Sequence, residues 1–277
     1  MSGDLAGFTI GITADRRADE QADLLRRRGA EVRHAAVMTC RRLLSADDLA
    51  RTTSLVLDDP PDVFIANTAI GIRAWLAAAE AVGIERALRE VLADTVVLAR
   101  GPKSAVALRQ LGIEPSTIAP TERLAAVSEF AMAIAPPGAH VVLQLDGGGE
   151  GPELDRLRAN GYRVTTIGTY EWAPPDDPDA VVRLLHQATE GAVDALTFTC
   201  SPAVQHLVAL ADAHGLGDAL RDPRNGIVMA CVGPVTADAA LAAGLPSIVF
   251  PNPGRIGLMI RTLADALALV SRVERAS

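Results

Sequence analysis

The chain repeats itself at one fixed offset of 132 residues over almost its whole length. Asp62 answers to Asp194, Gly83 to Gly215, and Ala87-Leu88-Arg89 to Ala219-Leu220-Arg221. Gly101-Pro102 answers to Gly233-Pro234, Ala105 to Ala237 and Gly112 to Gly244. Between 62 and 112 there are 14 identities in 51 positions without a gap, where an Ala-rich composition gives about 5 by chance. The alanines weigh little. The paired glycines and prolines weigh more, because they fix backbone geometry instead of filling space. The offset also holds earlier, with Asp23, Leu25, Arg26, Gly29 and Val32 answering to Asp155, Leu157, Arg158, Gly161 and Val164. A period this long exceeds the roughly 20–50 residues of solenoid repeats, so the chain is a duplicated domain. Two copies imply two similar lobes, and two lobes imply a cleft.

The 277 residues are ample for two cores. An apolar content of 49% with only 3% aromatic residues suits Ala/Leu/Val cores in α/β layers. No run approaches the ~18 apolar residues of a membrane span, and Pro136-Pro137 breaks the longest candidate. Met1 to Asp4 has no basic region leading into an apolar one, so no signal peptide is expected and the location expected is cytoplasmic. Cys40, Cys200 and Cys231 are odd in number and form no CxxC, and the five histidines form no HxxxH. Neither a disulfide framework nor a metal site is expected. The net charge of −8 comes without a basic tail or stripe. Nucleic acid is therefore not an expected partner, nor is a membrane, and the expected state is a monomer.

Hydrophobic patterning predicts strands alternating with helices, and hence parallel sheets with helices on both faces. Strands are expected at residues 8–13, 31–40, 63–66, 95–99 and 116–118, then at 140–145, 162–170 and 195–199. Helices are expected at 15–28, 47–59, in a broken stretch reaching Asp94, from Pro102, at 121–134, 152–160 and 179–190. The Pro/Asp-rich run Ala173-Pro174-Pro175-Asp176-Asp177-Pro178 stands where the first copy has Arg41 to Ala46, so both copies change direction at the same point.

The recurring signature is a strand followed by Gly-Pro, then a hydroxyl residue and alanine. It appears as Gly101-Pro102-Lys103-Ser104-Ala105 and again as Gly233-Pro234-Val235-Thr236-Ala237. Glycine lets the chain turn off the strand, and proline suits the first helical position. The unpaired N–H groups of that first turn carry a partial positive charge, and the hydroxyl adds a donor. Such a place at the carboxyl edge of a parallel sheet suits a carboxylate or a phosphate. Plain helix capping is the alternative, and the duplication favours ligand binding.

With these motifs the chain resembles the uroporphyrinogen-III synthase family, over nearly its whole length. The resemblance rests on Thr13 to Val32, on Asp194-Ala-Leu-Thr-Phe-Thr-Cys-Ser-Pro-Ala-Val204, and on Val232-Gly-Pro-Val-Thr-Ala237. Thr68-Ala-Ile-Gly-Ile-Arg-Ala-Trp75, Ala99-Arg-Gly-Pro-Lys103 and Tyr170-Glu-Trp172 look most like an actinobacterial branch. The resemblance implies two flavodoxin-like α/β domains joined by a two-stranded ladder, with the chain crossing over between them. Residues 1–38 plus 172–277 would form one domain and 42–168 the other, with linkers at 39–41 and 169–171. It also implies a cofactor-free lyase that closes hydroxymethylbilane, a linear tetrapyrrole rich in carboxylates, into uroporphyrinogen III with inversion of the last ring. Such an enzyme must fold its substrate, assist departure of hydroxide, and favour the spiro intermediate over simple closure.

Carried over residue by residue, the resemblance makes Tyr170 the tyrosine of the cleft, a proton donor to the departing hydroxyl. An interdomain packing aromatic is the alternative. Thr199, Cys200 and Ser201, with Thr68 as the first-copy partner of Cys200, would bind acetate or propionate arms. Turn residues satisfying local backbone are the alternative there. Gly101 with Ser104 and Gly233 with Thr236 would supply the helix-end anion sites, and Arg16, Arg100 and Lys103 would offset substrate charge. Two residues depart from the family pattern: Glu171 stands where a basic residue is usual, and Cys200 where serine is. A tetrapyrrole-sensing or regulatory module of the same fold is the rival reading. Asp146-Gly147-Gly148-Gly149-Glu150-Gly151 lacks the spacing of a nucleotide loop and reads as a flexible turn.

Overall fold

The computed structural model describes residues 3–274. Its first stretch runs β1 (Thr9–Ile12), α1 (Ala18–Arg26), β2 (Glu31–His34), β3 (Thr39–Arg42), α2 (Ala46–Asp58), β4 (Val63–Ala66), α3 (Ala69–Ala81) and α4 (Glu85–Ala93). There follow β5 (Val96–Ala99), α5 (Pro102–Gln110), β6 (Thr117–Ile118), α6 (Leu124–Ile134), β7 (His140–Gln144), α7 (Pro152–Ala159), β8 (Arg163–Ile167) and β9 (Tyr170–Ala173). The last stretch is α8 (Pro178–Thr189), β10 (Ala195–Phe198), α9 (Ser201–Ala213), α10 (Gly217–Arg221), β11 (Val228–Cys231), α11 (Pro234–Ala242), β12 (Ile248–Val249) and α12 (Ile256–Glu274). Among the described residues no helix is long and apolar enough to cross a membrane.

Two compact units result. One is split, taking the chain up to Thr39 together with everything from Ala173 on, and the other is the continuous stretch Cys40–Trp172. The split unit holds a five-stranded sheet in the order β12-β11-β10-β1-β2, and the continuous unit one in the order β6-β5-β4-β7-β8. Every pairing in both is parallel. The two passages of chain between the units, β3 and β9, pair with each other as a small antiparallel ladder. The crossover expected from the resemblance is therefore present, since β1 from the first copy pairs with β10 of the second.

The duplication explains the shared strand order. Central strands β4, β10 and β11 are buried along their whole length, as parallel strands covered by helices on both faces must be. The repeated aspartates do the same work in each copy. Asp62 accepts the N–H of His140 at 2.7 Å and returns its own N–H to the His140 carbonyl at 2.9 Å. Asp194 accepts the N–H of Thr9 at 2.7 Å and returns its N–H to the Thr9 carbonyl at 2.9 Å. Each carboxylate thus fixes the register of the strand beside it at the amino edge of the sheet. Gly83 and Gly215, also repeated, both have left-handed backbone, with φ of 75° and 71°, where the chain turns after α3 and α9.

Four expected elements come out differently, the first being α1, which starts at Ala18 and not at Asp15 because Arg17 has a φ of 58°. Residues 31–40 form two strands, because Ala35 and Val37 donate to the carbonyls of Ile12 and Thr13 at 3.1 Å and the chain then leaves that sheet. Residues 162–170 also break, at Gly168 and Thr169, giving β8 and β9. Helix α6 starts at Leu124 and not at Thr121, since Glu122 has a φ of 55° that no α-helix accommodates.

Trp75 anchors α3, the helix whose first turn reaches the candidate site. Its ring is fully buried, tilted against Phe64 at 5.3 Å, and its indole N–H donates to the hydroxyl of Thr53 at 2.8 Å. Thr53 in turn donates to the Leu49 carbonyl at 2.7 Å. Thr53→Val keeps the shape and strands the indole N–H in the core, so urea unfolding should show a loss of about 1–3 kcal/mol. An unchanged midpoint would mean that the N–H finds another acceptor.

Candidate functional site

In the continuous unit the carboxyl ends of the adjacent strands β5, β4 and β7 present Arg100 and Gly101, Asn67 and Thr68, and Gln144 to Gly147. This is the edge of a parallel sheet where ligands of such folds bind. Thr68 caps α3: its hydroxyl accepts the Gly71 N–H at 3.2 Å. Tyr170, only 5% exposed, donates its phenol O–H to the same hydroxyl at 3.2 Å. Behind them lies the fully buried carboxamide of Gln144. Its Oε1 accepts the Thr68 N–H at 2.7 Å and the Thr68 hydroxyl at 3.2 Å, and its Nε2 donates to the Leu145 carbonyl. A Cβ at Gly71 would fall on this carboxamide, which is why the first turn of α3 carries a glycine.

The glycine-rich loop after β7 seats the tyrosine. Gly147 has a φ of 89°, and a Cβ there would lie 2.5 Å from Cε2 of Tyr170 and 3.2 Å from Cε2 of Trp172. The Gly147 carbonyl accepts the Trp172 N–H at 3.0 Å, and the two rings meet edge to face at 5.1 Å. The loop expected to be merely a flexible turn is thus the surface against which Tyr170 rests. Sequence reasoning missed Gln144 and Gly147. A single glutamine ending an apolar strand and one glycine among four carry no signal of what packs on them.

The remaining candidates in this unit are placed less simply. Arg100 lies 3.7 Å from Asp146, so part of its charge is already balanced. Lys103 is exposed on the first turn of α5. Ser104, 3% exposed, accepts the Gly101 N–H at 3.3 Å and has the carbonyls of Gly101 and Asn67 within 3.2 and 3.4 Å. Its hydroxyl therefore serves the backbone of its own turn, and an anion at this helix end would meet only the first-turn N–H groups of α5. Gly101 is extended, with a φ of −168°, and a Cβ there would lie 3.0 Å from Cγ of the exposed Glu122 side chain, a tight contact that the glycine avoids. Asn67 is buried, and its Oδ1 has no hydrogen-bond partner among the described residues.

In the split unit the corresponding strand ends are those of β10 and β11. Thr199 is half-buried, and Cys200 is the N-cap residue of α9. Ser201 donates to the Val235 carbonyl at 3.0 Å, tying the start of α9 to the start of α11. Gly233 caps α11 and packs against Gly254, whose Cα would lie 3.1 Å from an added Cβ. Thr236 is 4% exposed, and its hydroxyl has no partner among the described residues, unlike that of Ser104. Arg16 is exposed in the turn after β1 and forms no ion pair among the described residues. Burial pushes the Cys231 thiol up to about 12, which leaves it neutral and inert at physiological pH. Among the described residues no group of three His, Cys, Asp or Glu side chains gathers as metal ligands do.

Taken singly, each unit offers helix N-termini at its sheet edge, among them α3 and α5 in one and α9 and α11 in the other, and the continuous unit adds a buried phenol. This equipment suits a polycarboxylate ligand and a proton transfer. A family model described as uroporphyrinogen-III synthase HemD matches residues 19–260. A mutant uroporphyrinogen III synthase crystal structure from the extremely thermophilic bacterium Thermus thermophilus is 26% identical, with a TM-score of 0.79 and coverage of 95% of this chain and 99% of that one. The wild-type protein in another crystal form is 27% identical, with a TM-score of 0.64 and coverage of 96% and 100%. The uncharacterized protein YjjA of Bacillus subtilis (strain 168) is 25% identical over 272 residues, 95% of this chain and 97% of YjjA.

Gly147→Ala places a methyl group against the Tyr170 ring at a left-handed backbone position. Its melting temperature should fall by roughly 3–10 °C, and the near-ultraviolet circular dichroism of the Tyr170 and Trp172 pair should change. Gly149→Ala, at a φ of 78° with open space around it, should lower the melting temperature without the spectral change. Equal spectra for the two variants would remove Gly147 from the seat of Tyr170.

Proposed function

Because the chain belongs to the uroporphyrinogen-III synthase family, we propose that it converts hydroxymethylbilane to uroporphyrinogen III, with Tyr170 as the acid. The reaction loses one water and closes one macrocycle, with no net oxidation or reduction, so it calls for no electron carrier. The first step breaks the bond between the terminal methylene and its hydroxyl. A proton supplied to that oxygen lets it leave as water and generates the electrophilic azafulvene. The observation that carries this reading is the phenol of Tyr170, buried at the carboxyl edge of a parallel sheet and held there by Thr68, Gly147 and Trp172.

The supporting groups have separate tasks. First-turn N–H groups of α3, α5, α9 and α11 receive substrate carboxylates, as helix N-termini do. Arg16 and Lys103, exposed cations at strand-to-helix turns, reduce the repulsion that a protein of net charge −8 exerts on a polyanion. Thr199, Cys200 and Ser201 lie at the second-copy strand end beside α11, where Thr236 adds a hydroxyl with no protein partner among the described residues. Glu171 is exposed, and its charge at this edge lowers affinity for carboxylates relative to relatives with a basic residue there.

Purified protein incubated with hydroxymethylbilane should yield isomer III, identified after oxidation and separation of the porphyrins. Tyr170→Phe should lower turnover about 10²–10⁴-fold with little change in substrate requirement, as expected when only the transition state loses a donor. Isomer I alone, the product of unassisted closure, would overturn the synthase reading in favour of a tetrapyrrole-binding module. Wild-type turnover in Tyr170→Phe would make the tyrosine a packing residue.

A further inference from the structure

The bond between Tyr170 and Thr68 has a direction, and Gln144 sets it. The Gln144 carboxamide is oriented by its Nε2, which donates to the Leu145 carbonyl. Reversing the amide would set Nε2 against the Thr68 N–H, donor against donor, and an oxygen against the Leu145 carbonyl. The end facing Thr68 is therefore Oε1, which can only accept. It takes the Thr68 N–H at 2.7 Å and the Thr68 hydroxyl proton at 3.2 Å. With that proton spent, the lone pairs of the Thr68 oxygen receive the Gly71 N–H at 3.2 Å and the phenol O–H at 3.2 Å. In the resting protein the proton of Tyr170 thus points at Thr68.

Resting on the reading of Tyr170 as the acid, we infer that Thr68 and Gln144 are positioning residues forming a reversible hydroxyl switch for its phenol. When the leaving oxygen of the substrate takes the phenol proton, a phenolate is left 3.2 Å from the Thr68 oxygen. Gln144 is already satisfied by the shorter bond from the Thr68 N–H. The Thr68 hydroxyl can therefore swing its proton from Gln144 to the phenolate at small cost. The phenol proton departs in water, the Thr68 proton stays on Thr68, and the phenolate regains a proton when the closed macrocycle sheds one to restore its aromatic pyrrole. The donor is preorganised and faces the charge as it develops, a form of stabilisation whose removal typically costs about 10²–10³-fold in turnover. The Gly71 backbone leaves room for the carboxamide that makes the arrangement work.

Two substitutions with opposite expected signs test the switch. The chain has only two tyrosines, so uniform fluorotyrosine labelling gives two fluorine resonances, assigned with Tyr170→Phe. Tyr162, whose O–H is held by the Ala135 carbonyl at 2.7 Å, reports on the fold. Thr68→Val removes the donor, so Tyr170 should ionise at higher pH than in the parent protein. Gln144→Leu frees the Thr68 proton to rest on the phenol oxygen, so Tyr170 should ionise at lower pH. Thr68→Ser should restore the parent titration. In turnover, Thr68→Val should lower kcat about 10²-fold with KM little changed, and Thr68→Ser should recover most of it. A rise in KM alone would make Thr68 a binding residue and overturn the inference, as would titrations of the same sign in Thr68→Val and Gln144→Leu. Should Thr68→Val not fold, by the Tyr162 resonance, the sign of the Gln144→Leu shift decides. Absence of isomer III from the parent protein would strike the acid reading alone, because the titrations need no substrate.

Discussion

The carboxylate of Asp194 holds the N–H of Thr9 at 2.7 Å, and the Asp194 N–H holds the Thr9 carbonyl at 2.9 Å. That double link ties two residues 185 positions apart and sets β1 between β10 and β2. The strand pairs on both sides, with Ile10 opposite Ala195 and opposite Val32. Removing β1 would leave β2 without a neighbour and end the sheet of the split unit at β10. Closing so long a loop is less costly than it looks, because the entropy grows only with the logarithm of its length. The equivalent link from Asp62 to His140 closes a loop less than half as long, wholly within the continuous unit.

The two copies share a frame and differ in chemistry. Strand order, paired aspartates and paired turn glycines are common to both. At the 132-residue offset Tyr170 corresponds to Met38, Thr68 to Cys200 and Ser104 to Thr236. The phenol thus comes from the second copy and its hydroxyl partner from the first, and the crossover brings them together in the continuous unit. The hydroxyl at the start of α5 is consumed by its own turn, whereas the one at the start of α11 has no protein partner among the described residues. Duplication supplied two sheet edges lined by helix N-termini, and divergence placed a phenol at one of them.

Much of the fold could be read from the chain because the repeated residues are geometric. Gly83 and Gly215 mark left-handed turns, Asp62 and Asp194 mark strand starts, and Gly101-Pro102 and Gly233-Pro234 mark helix starts. The breaks at 35–38 and 168–169 were not legible, since an apolar run does not record where its sheet neighbour changes. At the site, Tyr170 and Thr68 stood out through the family resemblance, and the structure puts their oxygens 3.2 Å apart. Gln144 and Gly147 did not stand out, because their roles come from tertiary contact: one amide wedged over Gly71, one ring edge against a bare Cα. The glycines of the Gly-Pro motif were legible as a feature and not as a cause. Their backbones are extended, and a Cβ would meet the Glu122 side chain at 3.0 Å at one and the Gly254 backbone at 3.1 Å at the other.

The placement of β1 also orders events during synthesis. Residues 40–172 form a unit whose partners are all contiguous, so it can close as soon as it clears the ribosome. The segment ahead of it cannot. Its strand needs β10, 185 residues later, which at common elongation rates is a wait of roughly 10–40 s. Throughout that interval Ile10, Ile12 and Leu25, all destined for zero exposure, have no core to enter. The nascent chain thus carries an unpaired strand and helix in front of a finished domain. A destabilised β10 would prolong that vulnerability without touching any residue of the site.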